Sequence, residues 1–189
     1  MSRLIDRGAL TAAYVGIGMA VTIGLSFLLI IPIEPIYWTF SLPAGLLIGW
    51  YAGVRSGRGR GEWRRTISNA VFAGLATGLA LAIFLLAVKA LFFFADDGYR
   101  DPGLGGRITC TGGADCVYQR YLEREGSALQ AVGVTDAASF SSYYWTQQTA
   151  TAELLVAVPT VLALVGGVIY GLTRPRRSPA TADATAVRG

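Results

Sequence analysis

Histidine is absent from this chain of 189 residues, lysine occurs once and cysteine twice. Each shortage closes a class of chemistry. Without imidazole there is no histidine general base and no histidine ligand for zinc or iron. Two cysteines are half of a structural zinc site, and the five residues between Cys110 and Cys116 exceed the two of a redox C-x-x-C pair. Charged residues make up 15% of the chain, against about 25% in ordinary soluble domains. A G-x-S-x-G elbow, a glycine-rich phosphate loop with its lysine and an H-E-x-x-H helix are all missing. Glu123 and Glu125, two apart on a helix, do not face each other. No catalytic set emerges, so the chain reads as a non-enzyme with no cofactor and no metal.

What is abundant is apolar sequence in long uncharged runs, the mark of membrane spans. Residues 9–31 contain no charge and reach about 34 Å as a helix, enough for a bilayer core of about 30 Å. The run exceeds a signal-peptide core and has no small-x-small cleavage site after it, so it reads as a permanent helix. Pro32 and Pro35 break it. A second span covers residues 36–54, with Tyr37 and Trp38 at one end, Trp50 and Tyr51 at the other, and Pro43 near its start. Residues 66–94 form a third span of about 43 Å, which must tilt or protrude. Residues 152–172 form the fourth, with Pro159 expected to kink it.

Charge placement orients these spans. Arg3 and Arg7 lie in residues 1–8; Arg55, Arg58, Arg60, Arg64 and Arg65 in residues 55–65; Arg174, Arg176, Arg177 and Arg188 in or beside the tail, residues 174–189. Residues 96–148 carry seven acids and four arginines. The positive-inside rule puts the basic segments and both termini in the cytoplasm and residues 96–148 outside. Basic flanks of this kind report topology, so no nucleic-acid partner is inferred. The 55–65 loop is expected to meet anionic lipid head groups. The small, polar tail reads as disordered.

The fold class expected is therefore an all-α integral membrane protein of a bacterial plasma membrane. It is a four-transmembrane-helix bundle with a small extracytoplasmic helical subdomain. Two helices are expected in that subdomain, one starting with Asp115 as N-cap and stopping at Gly126, the other capped by Thr135 or Asp136 and able to run straight into the fourth span. Outside the cytoplasm Cys110 and Cys116 would form a disulfide, worth about 2.4 kcal/mol by the chain-entropy model.

Three further features bear on function. Gly45, Gly49 and Gly53 form one row of small residues, and Gly74 and Gly78 form another. Such rows let helices approach closely, and the second and third spans are expected to pack on each other through them. Glu34, Lys89, Asp96 and Glu153 cluster toward the outer face, where a Lys89–Glu153 pair is plausible. Phe140, Tyr143, Tyr144 and Trp145 form an aromatic run that suits an interfacial belt or a recognition surface. No ionisable residue lies near the middle of a span, which argues against ion-coupled transport. The function expected is a non-catalytic accessory or scaffold subunit of a larger membrane complex. The alternative is a small transporter or channel component, alone or as a homo-oligomer, without a buried proton-relay residue.

Overall fold

A computed structural model describes residues 5–30, 34–56, 62–95 and 112–173, and within these no side chain of 27–30 or 34–36. Pro32, residues 57–61 of the 55–65 loop, Asp96, Cys110 and the tail lie outside the described residues. The described residues form five helices and no strand: α1 (Arg7–Ile30), α2 (Glu34–Ser56), α3 (Trp63–Phe94), α4 (Ala114–Ala131) and α5 (Ala137–Thr173). Three of them are long and apolar enough to cross a membrane: α1 over Arg7–Ser26, α3 and α5. α2 has the length, at 23 residues, but tyrosine, tryptophan, serine, proline and glycine dilute its apolar content.

Several boundaries differ from the sequence expectation. Glu34 already begins α2, so Pro35 takes the first turn, where a missing N–H costs least. Pro43 is therefore interior to the helix and exposed. α3 begins at Trp63, where the Glu62 carbonyl accepts from the Arg65 and Thr66 amides. One boundary follows an option the sequence left open: the helix before the fourth span runs straight into it, as one element of 37 residues, about 55 Å long. Only threonine, alanine and glutamine join the two stretches, and none of these stops a helix. Pro159 is buried within α5, and the helix continues through it.

The chain divides into two compact units, residues 1–81 with 155–189, and residues 82–154. In the first unit α1, α2 and the first part of α3 meet around Ala12, Ile48, Ala52 and Ala73. A core of small side chains requires close backbones, and glycine supplies them. Asp6 caps α1, its Oδ1 accepting from the Ala9 amide at 3.0 Å. Gly8 then comes against the backbone of Arg55 and Ser56, where a Cβ would lie 2.6 Å away.

The second unit closes on large rings. Phe93, Val117, Leu129, Val134, Phe140 and Tyr144 form its core, with Tyr118, Tyr121, Tyr143 and Trp145 packed against it. α4 is capped by Gly113 at φ 111° without a side-chain bond, so Asp115 is not the N-cap but sits exposed in the first turn. There its charge suits the helix dipole. Gly126 does not stop α4 either. The helix bends at Glu125 (φ −130°, ψ 20°) and runs on to Ala131. The stop is Gly133 at φ 79°: its amide bonds the Gln130 carbonyl at 3.0 Å and the Val134 amide bonds the Leu129 carbonyl at 2.9 Å. This is the Schellman pattern, and Leu129 and Val134 supply its hydrophobic contact. Asp136 then caps α5.

Candidate functional site

The glycine rows are spent inside the first unit, and their partner is α5. A Cβ on Gly45 would stand 2.7 Å from the Pro159 Cα, Gly49 abuts the backbone of Ala163, and Gly53 lies under the Tyr170 ring. From α3, Gly74 meets Ala163, and a Cβ on Gly78 would stand 2.8 Å from the Leu155 carbonyl oxygen. That oxygen is the one to which Pro159 can offer no N–H. Glycine's Cα–H is a weak donor that can approach it. α5 answers with Gly166 against the Leu46 and Trp50 backbone and Gly167 against Ala70. Contrary to expectation, then, the rows of α2 and α3 clasp α5 between them.

Three of the polar side chains buried in this unit bond a carbonyl one turn back, and Tyr37 reaches across to another helix. Ser41 Oγ donates to the Tyr37 carbonyl at 2.7 Å, Thr77 Oγ1 to Ala73 at 2.8 Å and Thr66 Oγ1 to Glu62 at 3.2 Å. Tyr37 Oη donates to the Leu81 carbonyl at 2.6 Å. One network went unseen in the sequence. Asn69, fully buried, donates through Nδ2 to Ser56 Oγ at 2.8 Å, and Ser56 Oγ lies 3.1 Å from Asp6 Oδ1. It ties the start of α1, the end of α2 and α3 together. Its members stand 50 and 13 positions apart, which no periodicity reveals.

In the second unit, Phe140 and Tyr144 are core rather than surface, at 0% and 6% exposure. Tyr143 is half-buried against that core. Trp145 is different. Its ring is fixed by Phe94, stacked at 5.9 Å and 17°, by Phe93 at 5.4 Å and by the edge of Tyr144 at 5.3 Å, yet it remains half-exposed. It shares a shallow, open face of α5 with Ala138, Ser141, Ser142, Thr146 and Thr149. One turn further along α5, Gln148 is buried and its Oε1 finds no donor.

Cys116 is buried in the first turn of α4 and is not a free thiol. Just before it, the Gly113 amide donates to the Phe93 carbonyl at 2.7 Å, one of the oxygens left open at the end of α3. Of the expected outer-face cluster, Lys89 is half-buried and Glu153 exposed, with no ion pair between them. The ion pair seen among the described residues is Glu62–Arg65, at 3.5 Å on the surface. Asp136 Oδ1 accepts from the Ser139 amide at 2.7 Å, while the Asp136 amide donates to Ser139 Oγ at 3.2 Å. The Ser139 amide first, and its hydroxyl second, hold the Asp136 carboxyl below its ordinary range. Among the described residues no three acidic, thiol or imidazole groups converge into a cage for a metal ion. Comparison with protein families, characterised proteins and solved structures finds no match to this chain.

Proposed function

We propose that this chain is a four-span protein of a bacterial plasma membrane and a non-catalytic accessory or scaffold subunit of a larger membrane complex. The observation carrying this reading is the clasp of α5 by α2 and α3. Backbone meets backbone at Gly49 and Gly166, so no water-filled path fits between α2 and α5 at that level. A bundle packed this way is suited to holding a shape. α2 counts as the fourth span on the same ground. Part of the hydropathy it lacks is lost at Gly45, Gly49 and Gly53, on its buried face, while Phe40, Leu42, Leu47 and Trp50 remain on its exposed one. The basic segments set both termini in the cytoplasm, with the 55–65 loop at anionic head groups.

On this topology the second unit faces outward, and Cys116 pairs with Cys110, the other cysteine of the chain. Alkylation of intact cells should label neither thiol until a reductant is added; free labelling of both would refute the pairing. The functional reading is tested by extracting the tagged chain from its native membrane in mild detergent, separating it on a native gel and identifying its companions by mass spectrometry. A defined complex with unrelated subunits is expected. A lone chain or a homo-oligomer would overturn the subunit reading and move the weight to transport.

A further inference from the structure

We propose, resting on the membrane topology given above but not on the subunit role, that Arg7 and Arg55 bind an anionic phospholipid carrying two phosphates. Arg7 is the first residue of α1, and Arg55 lies in the last turn of α2. The fold holds these two positions side by side. Asp6 Oδ1 lies 3.1 Å from Ser56 Oγ, and a Cβ on Gly8 would stand 2.6 Å from the Arg55 carbonyl carbon. Asn69 of α3 locks the junction. Its Nδ2 donates to Ser56 Oγ at 2.8 Å, and its Oδ1 accepts from the Asp6 amide at 3.4 Å. Separating the two helix ends would therefore break a network with a fully buried member. Both arginines are exposed, and neither has a partner among the described residues.

Two like charges fixed at neighbouring helix ends repel each other, and Arg7 also stands in a first turn, where the helix dipole favours an acid. The acids at this end are engaged elsewhere. Asp6 Oδ1 caps α1 through the Ala9 amide, and Glu62 pairs with Arg65. Residues 57–61, which follow α2, add two arginines and no acid. Charge of one sign says what covers this rim: a phosphate, which a guanidinium grips with parallel N–H donors. The surface below says that the phosphate belongs to a lipid. Leu10 and Tyr14, three and seven positions after Arg7, and Val54 beside Arg55 are exposed and offer apolar contact to acyl chains. A lipid whose two phosphates are joined suits a fixed pair of charges, because its second contact is intramolecular. Basic sites between spans on the cytoplasmic side take head groups of this class.

The test takes the full chain in a neutral detergent, stripped of native lipid, and counts bound lipid by native mass spectrometry. Cardiolipin is titrated against phosphatidylglycerol at equal phosphate. One cardiolipin per chain, held about ten-fold more tightly than phosphatidylglycerol, is the expected result. Arg7→Gln and Arg55→Gln should each weaken it about five-fold and keep the wild-type melting temperature, both side chains being exposed. Arg64→Gln is the control. It removes an equally exposed arginine, more than a turn along α3 from Asn69, and should leave cardiolipin binding unaltered. Equal binding of the two lipids overturns the proposal. So does a loss at Arg64 matching that at Arg7, which would mean diffuse charge and no site. Alkaline carbonate washing of the native membranes separates this failure from that of the topology. A chain released by the wash refutes both; a chain retained in the membrane but without a lipid preference refutes this site alone.

Discussion

The two units of this protein solve the same problem by opposite means. The first brings helices together by leaving side chains out: Gly45, Gly49, Gly74, Gly78, Gly166 and Gly167 let backbones touch, and alanines fill the rest. The second brings them together by putting large rings in, with Phe93, Phe140 and Tyr144 at its centre. On the proposed topology, with the first unit in lipid and the second in water, the contrast follows from the surroundings. In lipid, apolar bulk gains nothing by leaving one hydrocarbon for another, so close packing must hold helices together. In water, ring burial is itself the driving force, at about 25 cal/mol per Å². The first unit should therefore fail when side chains are added, and the second when they are removed.

Gly49→Leu is expected to have the largest effect. The atoms it would meet are the backbone of Ala163, which has no rotamer to move into, so the penalty lies at or beyond the upper end of the roughly 1–3 kcal/mol of overpacking. Little folded protein should be recovered. Gly18→Leu is the control, because a Cβ there meets nothing within 4 Å. Its melting temperature in detergent should match the wild type. Equal behaviour of the two variants would break the contrast.

Phe140→Ala reverses the sense. It removes a fully buried ring in contact with Tyr118, Tyr121 and Tyr144, and should destabilise by about 3–5 kcal/mol in thermal or denaturant unfolding. A change below about 1 kcal/mol would mean that this unit is not held by its rings. Gly133→Ala sharpens the comparison, because glycine here serves backbone conformation instead of approach. Open space surrounds it, but its φ of 79° opposes any Cβ, for a loss of about 1–2 kcal/mol.

These residues also mark how far the sequence could be read. The long helices were legible because an uncharged apolar run has few other uses. The glycine rows were legible as rows, but not their partner, since small spacing states that something approaches and not what. α4 offered two glycines as stops, Gly126 and Gly133. The choice fell to Gly133 because Val134 follows it and reaches the core beside Leu129, a tertiary contact. The aromatic run was misjudged for a related reason: periodicity places Phe140 and Tyr144 on one stripe of α5, and what covers that stripe is α4 and the end of α3. The Asp6–Ser56–Asn69 network left no trace, being three ordinary polar residues until the chain folds.

The smallest expected effect separates capping geometry from charge at the start of α5. Asp136 is fully exposed, and its carboxyl is held below the ordinary value of 3.8 by the Ser139 amide and hydroxyl. A carboxylate with a lowered folded pKa adds stability that is complete above its unfolded pKa and is lost as pH falls through the folded one. Acid should therefore loosen this cap only below the ordinary carboxylate range, with no effect near neutrality. Asparagine caps as well as aspartate and cannot titrate. Melting temperatures of the wild type and Asp136→Asn should agree at about pH 7, and the wild type should lose more as pH drops below about 4. A parallel decline would show that the hydrogen bond from the Ser139 amide holds this helix start whether or not the group accepting it is charged.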